Sequence, residues 1–117
     1  MSAPPHPLED ALGVAFGDVA LLERALTHAS LRNEHATIDE DGEALEFLGD
    51  AVLELWVRER LVRARPNERP GRLSVAADRI VRRDALADVA RGLGLGVHLR
   101  LGRGMESQGG RDNPTVL

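Results

Sequence analysis

The sequence predicts an all-α fold, and three observations carry the prediction. Apolar residues recur at helical spacing in several separate stretches. Capping residues, prolines and glycines punctuate the ends of those stretches. No two runs alternate apolar with polar residues in a way that would let strands pair. The 117 residues are expected to form one domain, 1–117, large enough for a core yet near the size at which oligomerisation helps. A hydrophobic content of 43% argues against disorder.

In order, Pro7 suits the first position of a short helix, with Glu9 and Asp10 in the turn where the helix dipole favours acids. Leu8, Leu12 and Phe16 would be its inner face and Gly17 would follow its end. Asp18 caps a second helix in which Val19, Leu22, Leu26 and Ala29 keep the period up to THAS, residues 27–30. Residues 31–42 are polar, acidic and aperiodic, and are expected to be loop; a long helix then runs to about Val62. The stretch 64–71, ARPNERPG, reads as an exposed turn. Beyond it, Leu73, Ala76, Ala77, Ile80 and Val81 share one helix face, and Arg72, Arg79 and Arg83 another. Asp84 should cap a further helix with Leu86, Val89 and Ala90 inward and Gly92 and Gly94 as stops. Residues 97–111 are expected to be loop with at most a short extended piece. Asn113-Pro114 has the form of an N-cap and first helical residue, with Thr115, Val116 and Leu117 opening an apolar pattern. Such a short helix cannot support itself, so the chain reads as a fragment whose next helix is missing, or as a tail that frays.

Charge is distributed unevenly. Residues 1–57 carry two Arg against twelve acids, residues 58–83 nine Arg against three, and residues 84–117 four of each. An acidic helix beside a basic segment suits a phosphate ligand gripped by arginine and processed at a metal. An Arg-rich solvated surface fits the same composition.

The acidic part centres on 43–54, EALEFLGDAVLE. Glu43, Glu46, Asp50 and Glu54 fall within about 80° on one helix. Phe47 and Leu53 flank them and Leu45, Leu48, Val52, Leu55 and Trp56 fill most of the remaining circumference, so the carboxylates should be embedded. Like charges at this spacing repel, and no cation precedes Arg58. Glu46 and Asp50, one turn apart, could direct oxygens at one hard cation such as Mg²⁺; alternatively, arginines such as Arg79 or Arg83 could pair with the stripe. Gly49, unfavourable in mid-helix, suggests a close helix crossing or a dimer seam, or simple tolerance.

Other chemistries find little support. His6, His28, His35 and His98 have no zinc spacing, and His28 is expected to pack or hydrogen-bond beside THAS. Gly92, Gly94 and Gly96 lack the rest of a dinucleotide fingerprint, and none of the serines sits in a nucleophile elbow. Cysteine is absent, no apolar run approaches membrane-spanning length, and the N-terminus lacks signal-peptide character, so a cytoplasmic location is expected.

EALEFLGDAVLEL (43–55) resembles the signature helix of ribonuclease III endonuclease domains, NERLEFLGDAVL in its usual form. ALTHAS (25–30), IVRRDALADVAR (80–91) and LGRGMESQGGRDNPTVL (101–117) resemble that family's flanking segments in the right order. The resemblance covers nearly the whole chain. It implies that Glu46 and Asp50 are metal-binding and catalytic carboxylates, Asp50 being the one usually called catalytic. It associates Glu43 with the dimer interface and site architecture; Gly49 is a candidate for that interface from its mid-helix position alone. It further implies a homodimer that cleaves double-stranded RNA with Mg²⁺, for which Mn²⁺ can substitute, leaving 5′-phosphate and 3′-hydroxyl ends. No small-molecule organic cofactor and no membrane are implied. Arg72, Arg79 and Arg83 are candidate contacts to RNA phosphates. Gly42 and Ala44 depart from the family's Asn and Arg. The family pattern continues into a helix with a second Asp and Glu, and bacterial members usually add a double-stranded RNA-binding domain; neither lies within these 117 residues. The expected function is a double-stranded-RNA endoribonuclease domain in RNA processing, weak or inactive as this fragment; the alternative is a non-catalytic dimerisation or RNA-binding module of the same fold.

Overall fold

Residues 4–35 and 41–117 are described by a computed structural model, and among them the only extended pairing is one isolated bridge, Thr27 with Arg100. The helices are α1 (Pro7–Leu12), α2 (Val19–Ala25), α3 (Ala29–Glu34), α4 (Glu43–Ala64), α5 (Pro70–Val81), α6 (Arg83–Gly92) and α7 (Arg103–Ser107). Tight 3₁₀ turns occupy Leu95–His98 and Gly110–Asp112. The all-α expectation holds.

Pro7 does open α1, and the His6 ring Nδ1 accepts the Leu8 N–H at 3.0 Å. The helix stops earlier than expected because Gly13 turns left-handed (φ 70°) and donates its N–H to the Glu9 carbonyl. Leu12 is therefore exposed, while Phe16 reaches the core from the connection. Asp18 caps α2 as predicted, accepting the Ala20 N–H at 3.0 Å.

The long helix expected up to Ala29 breaks at Thr27. Arg100 donates its N–H to Leu26 O at 2.8 Å and accepts the His28 N–H at 2.9 Å, a strut made by residues distant in sequence. His28 then caps α3 by accepting the Ser30 N–H on Nδ1 at 3.1 Å. α3 replaces part of the loop expected over 31–42; a six-residue helix is too short to leave a readable period. Residues 36–40 of that expected loop lie outside the described residues.

The leucine core consists of Leu8, Leu22, Leu26, Leu99 and Leu101, with Phe16, Leu95, Met105, Val116 and Leu117 packed against it. Residues 97–111, expected to be loop, thus supply core leucines and the short helix α7. Asn113 performs the predicted capping: its side chain accepts the Thr115 N–H at 2.9 Å and its carbonyl accepts from Val116 and Leu117.

α4 has 22 residues and α5 has 12. At ~1.5 Å per residue they are about 33 and 18 Å long, so α5, folded back by residues 65–69, lines only the later part of α4. Val57 and Ala77 are buried, whereas nearly every side chain of residues 43–52 is exposed. α5 ends at extended Arg82, which precedes α6, so Arg83 leaves the face it was expected to share with Arg72 and Arg79. Asp84 lies in the first turn of α6 instead of capping it, and Ala87 and Ala90 are buried while Val89 is exposed. The radius of gyration, 16.5 Å, exceeds the ~13 Å of a closed hundred-residue domain, as an overhanging helix requires.

Candidate functional site

The site grows from the N-terminus of α4. Asp41, buried at 5% exposure, accepts the Glu43 N–H on Oδ1 at 2.9 Å. Its Oδ2 faces the Arg32 Nη1 of α3 at 3.2 Å, an ion pair whose angles do not make a hydrogen bond. The Asp41 main-chain oxygen accepts from Arg24 Nε of α2 at 3.2 Å. Gly42 donates its N–H to Thr27 O at 2.9 Å, and a Cβ there would stand 2.7 Å from Ala25 O, so only glycine permits this approach. Thr27 is itself pinned: its hydroxyl donates to Glu23 O at 2.8 Å and accepts from Arg100 Nη1 at 3.3 Å.

From that anchor α4 runs outward with its acids in line. Glu46 and Asp50 occupy the same angular sector as Leu53, Val57 and Leu61, which are half-buried or buried further along. One helix face thus changes from carboxylate to apolar at Leu53. Glu43, Glu46 and Asp50 are exposed and Glu54 is half-buried. The embedding expected from the sequence does not occur, because α5 is too short to reach this half of α4. The apolar residues expected to enclose the acids are open as well: Phe47 is 85% exposed, and Leu48, Val52, Leu55 and Trp56 are also exposed. Trp56 carries the Arg60 guanidinium over its ring at 4.3 Å.

Among the described residues no hydrogen bond or ion pair engages the side chains of Glu46, Asp50 or Glu54; Arg79 and Arg83, the partners considered from sequence, are not paired with them. Nothing lies within 4 Å of a Cβ built on Gly49, so no described helix crosses there. Arg72 and Arg79 are exposed together on α5, Arg72 reaching Glu68 at only 3.9 Å, and Arg83 is exposed on α6.

Chemically, Glu46 and Asp50 offer hard anionic oxygens one turn apart, which fits part of the shell of a divalent cation. Among the described residues no group of three or more His, Cys, Asp or Glu could hold a metal. Sequence reasoning missed Asp41 and Arg32: Asp41 sits in an acidic run, and nothing local separates a buried capping carboxylate from solvated neighbours.

A profile described as ribonuclease-III-like matches residues 18–117. The chain belongs to the ribonuclease-III-like family. It is 51% identical over 110 residues to ribonuclease 3 of Oleidesulfovibrio alaskensis, covering 94% of this chain and 48% of that protein. With ribonuclease 3 of Nitratidesulfovibrio vulgaris it shares 49% identity over 114 residues, 97% of this chain and 45% of the relative. The chain therefore spans about half the length of the curated relatives it matches. Among solved structures, the nuclease domain of ribonuclease III from Campylobacter jejuni superimposes with a TM-score of 0.86 at 36% identity, covering 93% of this chain and 73% of that one. That structure was described for flexibility in a region involved in dimer formation. Among the described residues no helix is long and apolar enough to cross a membrane.

Proposed function

We propose that this ribonuclease-III-like chain is the nuclease domain of an endoribonuclease that hydrolyses phosphodiesters of double-stranded RNA. The observation that carries this reading is the pair Glu46 and Asp50, set one turn apart on a solvent-open face in a chain that resembles ribonuclease 3 nuclease domains. Mg²⁺, with Mn²⁺ able to substitute, is the cofactor suited to these oxygens, and Glu46 and Asp50 are the residues that hold it. Bound there, a divalent cation supplies Lewis acidity to the phosphoryl group and to an attacking water. Asp50 orients that water for in-line attack on phosphorus; the bond to the 3′-oxygen breaks, leaving a 5′-phosphate and a 3′-hydroxyl. Arg72 and Arg79 on α5, and Arg83 on α6, contact backbone phosphates, so recognition follows A-form shape more than base sequence. Glu43 and Gly49 belong to the seam of a homodimer, which the open apolar surface of Phe47, Leu48 and Val52 supports. The setting is cytoplasmic RNA processing.

A Mg²⁺ titration with double-stranded RNA tests the reading: cleavage should require the metal and vanish in Asp50→Asn. Cleavage that persists in Asp50→Asn sinks the catalytic assignment. A second reading, a dimerisation or RNA-binding module without catalysis, draws on Glu46 and Asp50 joining no group of three or more candidate metal ligands among the described residues. Salt-sensitive RNA binding together with no Mn²⁺ or Mg²⁺ binding that Asp50→Asn abolishes would favour it.

A further inference from the structure

The half of α4 that carries Glu46 and Asp50 has little to hold it. Between residues 43 and 52 only Leu45 is even half-buried, and the first buried side chain of the helix is Val57. What fixes the other end is Asp41. Its Oδ1 accepts the Glu43 N–H, its Oδ2 faces Arg32 of α3, its carbonyl accepts from Arg24 of α2, and the next residue, Gly42, bonds to Thr27 O. A carboxylate removed from water at 5% exposure is costly unless its charge is met, and Arg32 meets it at 3.2 Å. We infer that Asp41 is a positioning residue for the candidate metal site: with Arg32 it clamps the first turn of α4 to α2 and α3 and so sets where Glu46 and Asp50 stand. As a statement about metal, this rests on the assignment of Glu46 and Asp50 proposed above; as a statement about the helix, it stands alone.

The test compares the chain with Asp41→Asn, Arg32→Gln and the double variant, all keeping an acceptor at position 41 and leaving the leucine core intact. Amide hydrogen exchange should accelerate about tenfold at residues 46–50 in Asp41→Asn, the size expected for losing one charge-assisted contact, with residues 57–64 unchanged. Mn²⁺ titration should give unchanged stoichiometry and about tenfold weaker binding, as for loss of a group that orients metal ligands. Arg32→Gln, which leaves the buried carboxylate unpaired, should be at least as damaging as Asp41→Asn, and the double variant should be no worse than Arg32→Gln. Unchanged protection at 46–50, or effects that add fully in the double variant, overturns the clamp. Asp50→Asn separates the two claims. If it leaves Mn²⁺ binding intact, the site assignment fails while hydrogen exchange still decides the clamp; if it abolishes binding and Asp41→Asn does not weaken it, the positioning role fails.

Discussion

Leu8 and Phe47 are both large apolar side chains in helices, yet Leu8 is 1% exposed and Phe47 85%. Leu8 belongs to a cluster closed from both ends of the chain, where α1 and α2 meet Leu99, Leu101 and the last residues. Phe47 stands on the part of α4 that α5 does not reach. The difference shows that burial follows which distant element returns to cover a face, whatever the face's own composition. It also leaves the acids of α4 hydrated, so a cation can reach Glu46 and Asp50 without any group first being buried unpaired.

The largest expected effect contrasts activity with stability. Asp50→Asn should lower Mg²⁺-dependent cleavage on the order of a hundredfold or more, because it removes a proposed ligand. The same change should leave the urea midpoint nearly unmoved, since an exposed substitution outside packing costs within about 0.5 kcal/mol. Next, Leu8→Ala should cost about 3 kcal/mol in urea unfolding, whereas Leu55→Ala on the open face should cost no more than about 0.5 kcal/mol. A Leu55→Ala cost rivalling that of Leu8→Ala would mean the open face is covered in solution, and light scattering would then distinguish a dimer from a monomer.

The glycines sharpen the same contrast. Gly42→Ala forces a Cβ to 2.7 Å from Ala25 O and should destabilise by about 1–3 kcal/mol. Gly49→Ala meets no atom within 4 Å in the single chain and should stabilise α4 by up to about 1 kcal/mol in thermal unfolding at concentrations where the chain is monomeric. Where the proposed homodimer forms, the same change should destabilise, because the added methyl enters the seam.

The smallest effect lies at the surface of the C-terminal segment. A hydrogen bond from Arg111, reinforced by its charge, holds the Glu106 carboxyl below its ordinary value of 4.5. The folded state therefore binds this proton less readily than the unfolded chain. The contribution is present above pH 4.5 and is lost as pH falls through the lower folded value. Glu106 is exposed and Arg111 half-buried, so Arg111→Gln should flatten the acid limb of a stability profile only slightly, in excess of what its bonds to Gly96 O and Leu99 O cost at neutral pH.

Much of this was legible in the residues. The periods of α4 and α5, Pro7 at the start of α1, Asp18 as a cap and Asn113 at the final turn were all readable because each depends on neighbours within a turn or two. The alignment of Glu43, Glu46, Asp50 and Glu54 follows from helix geometry alone. Their exposure does not, because it depends on the length of α5 and on where Pro70 lets it begin. The break at Thr27 was equally hidden, being made by Arg100, and so was the role of Asp41, which required Arg32, Arg24 and Thr27 to arrive from α3, α2 and the turn between them. Helical period, capping and the order of charges are local properties and can be read along a chain. Which carboxylate is buried as an anchor and which stays open as a candidate ligand was settled by long-range packing, because desolvation depends on every atom nearby in space, however distant in sequence.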